Sequence, residues 1–100
     1  MATISKALAR TAAATSSTTL YTVPASTTTV VTNIVVTNSA STAATFTITL
    51  DGVDLFKDTT LAGNSIAAFD LKQVLATTKI IAGLASAVTV KFHISGVEIA

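Results

Sequence analysis

Between Ala44 and Leu50 the chain alternates without exception: Ala44, Phe46, Ile48 and Leu50 fall on one side, Thr45, Thr47 and Thr49 on the other. A period of two fits a strand with one buried face and does not fit a helix, whose period is 3.6. Asp51-Gly52 follows at once, and the β-compatible run Val53 to Lys57 comes next. An Asp-Gly pair between two such runs marks a two-residue hairpin, because both central residues of that turn need φ > 0.

The rest of the chain reads in the same way. Thr19 to Val23 is a short strand stopped by Pro24, which cannot donate to a central ladder. In Thr28 to Asn38, Val30, Ile34 and Val36 share one face and Val31 and Val35 the other, which predicts a central strand covered on both sides. Asp58 to Asn64 reads as a loop and Ser65 to Leu71 as a strand. Lys72 to Thr77 is compatible with a helical turn or a short strand. Lys79 to Ala82 reads as a strand and Gly83 to Ala87 as a turn.

The final strand is expected from Val88, with Val88, Val90, Phe92 and Ile94 opposite Thr89, Lys91, His93 and Ser95. A change of phase after Gly96 would put Val97 and Ile99 on the apolar side and Glu98 on the polar one, so a bulge is expected at Ser95-Gly96. Seven or eight short strands and no long amphipathic helix predict an all-β fold, an antiparallel β-sandwich or jelly roll, with a small barrel as the remaining option.

One hundred residues suit one domain. Residues 19–100 are expected to form the sandwich. Residues 1–18, rich in Ala, Ser and Thr with no sustained period, are expected to form an extended or partly disordered N-terminal arm. The surface scaling relation gives roughly 5,300 Å² exposed after folding.

Only 11% of the residues are charged, where about 25% is usual, and none lies between residues 11 and 50. Threonine fills the gap with 20 positions. A soluble monomer normally carries mixed charges that keep it dispersed and blunt its sheet edges, and a net charge of +1 supplies little of either. Much of this surface is therefore expected to lie against other subunits. The longest apolar run, Ile80 to Val90, is bounded by Lys79 and Lys91 and is too short to span a bilayer as a helix, so no membrane role is expected.

No catalytic, cofactor-binding or metal site is expected. His93 is the sole histidine, on the polar side of its strand, and no serine sits in a nucleophile elbow. Asp51, Asp54 and Asp58 form the one acidic cluster, but they lack the ligand alternation of a calcium loop, and Lys57 lies among them. Lys6, Arg10, Lys57, Lys72, Lys79 and Lys91 are scattered and make no stripe for nucleic acid. Gly52, Gly63, Gly83 and Gly96 stand too far apart to cradle a phosphate. Phe46, Phe56, Phe69 and Phe92 are expected in the core.

The stretch Thr19 to Ala25, the valine-rich strand to Asn38, Leu50-Asp51-Gly52-Val53 and the ending His93-Ile94-Ser95-Gly96-Val97-Glu98-Ile99 together resemble small virion proteins of tailed bacteriophages. The resemblance covers about residues 19–100. It implies a β-sandwich or jelly roll without enzymatic activity, located in the virion and acting as a capsid decoration (cement) protein. It further implies the major capsid protein or other virion proteins as partners and a homo-oligomer, with a trimer as the expected form. A component of the tail or head-tail junction, or a carbohydrate-binding host-attachment module using Tyr21 and the phenylalanines, are the alternatives.

Overall fold

Leu50 and Val53 pair across the turn they were expected to flank, and Asp51 and Gly52 between them have φ of 54° and 75°. Both values lie in the left-handed region that a tight two-residue hairpin requires. The computed structural model containing this hairpin describes residues 2–100, so Met1, the start of the expected arm, lies outside the described residues.

The described residues form eight strands: β1 (Thr3–Ala12), β2 (Thr18–Thr22), β3 (Thr28–Asn38), β4 (Ala44–Leu50), β5 (Val53–Leu61), β6 (Ser65–Leu75), β7 (Ile80–Ala85) and β8 (Val90–Ile99). They form two antiparallel four-stranded sheets, ordered β1-β8-β3-β6 and β2-β7-β4-β5. The first strand pairs with the last, the second with the seventh, the third with the sixth and the fourth with the fifth. Such a ribbon of nested antiparallel pairs, folded over itself into two sheets, is a jelly-roll sandwich. The exposed surface, 5179 Å², agrees with the scaling expectation.

Several expected boundaries move. Thr3–Ala12, expected within an arm outside the sandwich, is edge strand β1, in register with β8 from Thr3 opposite Ile99 to Ala12 opposite Lys91. Its pattern was silent because an edge strand needs little apolar surface: Leu8 is its one buried residue. The expected loop after Asp58 begins only beyond Leu61, and β6 continues through the ambiguous stretch to Leu75. Strand β7 runs through Gly83 to Ala85, since Gly83 packs beneath Leu20 and Phe92. The last strand starts at Val90, leaving Val88 exposed in the preceding loop.

In β3 the inward residues are Val31, Ile34 and Val36, and Val30 changes sides relative to expectation. The register with both neighbours slips between Val31 and Asn33, so Thr32 takes up one residue of phase. The strand is central, but its outward valines, Val30 and Val35, remain half-buried with no layer above them.

The bulge expected at Ser95-Gly96 is absent from β8 itself. Inward and outward residues alternate from Val90 to Ile99 without a break, which puts Gly96 and Glu98 inside. The irregularities lie on the two strands opposite, at Leu8 in β1 and Thr32 in β3. Gly96 marks a close approach: a Cβ there would run into the Val30 carbonyl oxygen and come within 2.9 Å of Leu8 Cδ1.

Between the sheets, Phe92, Phe46, Phe56 and Phe69 form a chain of rings running from β8 through β4 and β5 to β6. Successive centroids are 6.4, 5.7 and 4.4 Å apart, within the range of favourable aromatic pairs. Phe46 and Phe92 are fully buried, as expected, whereas Phe56 and Phe69 are half-buried nearer the β5/β6 edge.

Gly96→Ala should destabilise the fold by about 1–3 kcal/mol or more, because a methyl group would be forced against backbone. Gly52→Ala meets open space and should cost about 1–2 kcal/mol from its positive φ alone. Combining each with Leu8→Ala in urea denaturation separates the two causes: coupling is expected for Gly96 and none for Gly52.

Candidate functional site

The alternation that carries β8 inward ends in the one acidic side chain of the interior. Glu98 is nearly buried, and two groups converge on its carboxylate while a third supports one of them. Tyr21 on β2 donates its phenol proton to Oε2. Lys6 on β1 sits 3.4 Å from both oxygens. With the phenol proton committed, Thr29 on β3 donates its hydroxyl to Tyr21 Oη at 2.8 Å. A buried carboxylate is tolerated only when paired and hydrogen-bonded, and this cluster meets that condition while tying β2 to the opposite sheet.

The hydrogen bond from Tyr21, and after it Lys6, holds the Glu98 carboxyl below its ordinary range, although burial works against both. Burial, and after it the bond to Glu98, pushes the Tyr21 phenol up. At the far end of β3, Asn38 is another buried polar group. Its Nδ2 donates to the Thr42 carbonyl at 2.9 Å, and its Oδ1 accepts from Ala40 N at 3.1 Å and Thr89 Oγ1 at 3.2 Å. Both clusters close ends of the sandwich, and the Glu98 carboxylate and the Asn38 amide are buried within them.

The residues singled out from the sequence do not converge. His93 points outward from β8 between Arg10 and Val35, with no carboxylate opposite. Asp51 lies in its turn, 3.6 Å from Lys79, and Asp58 engages Thr47, whose hydroxyl accepts its backbone N–H at 3.0 Å. Among the described residues no three His, Asp or Glu side chains gather at metal-binding range. The lysines are dispersed over β1, β5, β6, β8 and the β6–β7 loop. The aromatic rings lie on inward phases, so they offer no outward stacking platform.

One open, shallow depression is lined by Thr32, Asp70, Leu71 and Lys72 where β3 and β6 fall out of step. What remains as a candidate for recognition is the sandwich's exterior. Strands β2, β7 and β4, adjacent in one sheet, contain no charged residue. Their outward side chains are Thr19, Thr22, Ile80, Leu84, Thr45 and Thr49, flanking Ala82 and Thr47, which are buried within the same face. A surface of hydroxyls and aliphatic groups can be covered by another protein without stranding a charge.

The Glu98 cluster was missed by the sequence reading because a phase change was expected at Gly96. Unbroken alternation from Val90 would have pointed Glu98 inward and raised the question of its partners.

A folded-state carboxyl pKa below the ordinary value contributes stability that is complete above the carboxylate range and is lost as pH falls through the lowered value. A raised phenol pKa has the opposite sign: its contribution is complete below about pH 10 and is lost as pH rises through the raised value. Urea midpoints measured against pH should therefore fall at both extremes. Glu98→Gln should make the acid limb shallower and Tyr21→Phe should remove the alkaline one; an unchanged acid limb in Glu98→Gln would refute the coupling.

Comparisons with protein-family models, with curated proteins and with solved structures return no match.

Proposed function

We propose that this chain is a non-enzymatic structural protein of a phage virion, a decoration (cement) protein that binds the outer surface of the capsid and forms homo-oligomers there. The uncharged face of β2, β7 and β4 carries the reading. Covering it costs no desolvated charge, and the many modest contacts it offers suit a protein that stabilises a shell by bridging its subunits. The resemblance over residues 19–100 supplies the phage setting. The jelly roll is compatible with that setting but equally with unrelated roles, so the weight rests on the surface.

Capsids stripped of the protein should lose resistance to heat or low salt and regain it on re-addition. Thr19→Lys puts a charge on the uncharged face at an exposed position opposite Ala82, and should leave the fold intact while abolishing that rescue. Rescue by Thr19→Lys equal to that by the native chain would sink the assignment of the face. Copy number distinguishes a decoration protein, present many times per particle, from a junction component present a few times.

A further inference from the structure

Most of the exposed charges lie on or beside the two open sides of the sandwich; Lys91 on β8 and Lys79 in the β6–β7 loop are the exceptions. One side is formed by edge strands β1 and β2, the other by β6 and β5. Every exposed acid lies on the second side: Asp51 in its turn, Asp54 and Asp58 on β5, and Asp70 on β6, with Lys57 and Lys72 among them. The fifth acid, Glu98, is buried. The first side carries Lys6 and Arg10 and no exposed acid. The β1/β2 edge is therefore basic, while the β5/β6 edge carries all four exposed acids, with Lys72 two residues from Asp70 on β6 and Lys79 3.6 Å from Asp51.

Exposed apolar residues follow the edges too. Of the five large ones, Ile4 is on β1, Val53 on β5, and Ile66 and Val74 on β6; only Val88 is elsewhere. Long edges with exposed apolar side chains template strand pairing unless something covers them. The two edges of the first sheet are also matched in length, 10 residues in β1 and 11 in β6.

Direction completes the fit. Each sheet has four alternating strands, so its two edge strands run oppositely. Copies placed side by side in the same orientation thus bring β6 of one antiparallel to β1 of the next, and β5 antiparallel to β2. Antiparallel pairing is the more stable geometry, and it arises here without turning either copy over. Arg10 points outward from the first sheet beside His93, and Asp70 points outward from the same sheet beside Asn33. The two side chains occupy the same face at opposite edges.

We propose that copies of this chain associate head to tail, edge strand β1 of one against β6 of the next, with Arg10 facing Asp70 of the neighbour. The contact is heterologous: it closes into a ring where the rotation between copies allows and extends where it does not. It deepens the assembly reading by naming the surface through which the oligomer forms, yet it uses the edges, not the uncharged face, and is tested without any capsid.

Sedimentation velocity of the purified full-length chain should show concentration-dependent association that weakens with salt, since the paired charges are exposed. Arg10→Glu or Asp70→Lys alone should weaken it tenfold or more, with an unchanged far-ultraviolet circular dichroism spectrum. The double reversal should recover association, and so should an equal mixture of the two single variants, because each joint then brings opposite charges together. A chain that stays monomeric up to about 1 mM, the concentration at which association would be worth only about 4 kcal/mol, overturns the proposal. So do a two-fold dimer that grows no further, single reversals without effect, or a double reversal that fails to recover. Loss of capsid rescue with self-association intact would count against the decoration role and leave this contact standing.

Discussion

At Gly96 the Val30 carbonyl comes so close that no side chain can stand between the two strands, and the rest of the sheet is arranged around that approach. β8 is the only strand paired with both β1 and β3, and it passes this point without losing phase. Its neighbours absorb the mismatch instead: Leu8 drops out of register in β1 and Thr32 in β3. The irregularity in β1 turns Leu8 inward above the glycine, its single anchor in the core. The irregularity in β3 exchanges Val30 for Val31 on the inner face. Two residues later β8 delivers Glu98 to the interior, and the cluster of Tyr21, Thr29 and Lys6 becomes necessary.

How much of this could be read from the sequence follows from where each signal is local. The β4–β5 hairpin is specified by an alternation and a dipeptide within ten residues, Ala44 to Val53, and it stands where expected. The all-β class and the core position of Phe46 and Phe92 follow from the same kind of short-range pattern. Strand β1 left no such trace, because an edge strand that buries only Leu8 has no need of apolar periodicity. The site of the irregularity was located correctly and assigned to the wrong strand. Glycine signals a close approach or an unusual φ with equal force, and only the register with β1 and β3 distinguishes them. Glu98 was misplaced as a consequence.

The distribution of charge has two opposite effects on a chain of this composition. Withholding charge from β2, β7 and β4 leaves a face that another protein can cover without a desolvation penalty, but it also removes the usual protection against indiscriminate association. Most of the exposed charge sits on or beside the edge strands, where strand pairing begins. The only charged residues on β1 are basic, Lys6 and Arg10, which disfavours β1 against β1, whereas Asp70 on β6 offers Arg10 an opposite charge when β1 meets β6. Like charges opposed at an interface cost energy and suppress the wrong partner, so sparse charges can select one mode of contact among several that backbone geometry allows.

The nesting of the pairs sets which part of the fold depends most on the others. The β4–β5 hairpin closes a two-residue loop, whereas joining β1 to β8 brings together the two ends of the chain, down to the paired Ala2 and Ala100 with N···O distances of 2.9 and 2.8 Å. Loop closure grows more costly with separation, so the outermost pair forms at least cost after the inner strands have brought the ends together. β1 then docks on an existing sheet through backbone bonds, Leu8 and Lys6, and leaves its other edge open. A strand added last and held by so few side chains is the one that gains most from a neighbour on its free edge, and in the head-to-tail arrangement that neighbour is β6 of the next copy. Association and completion of the fold would then reinforce each other, because edge strand β1 becomes an interior strand of a longer sheet.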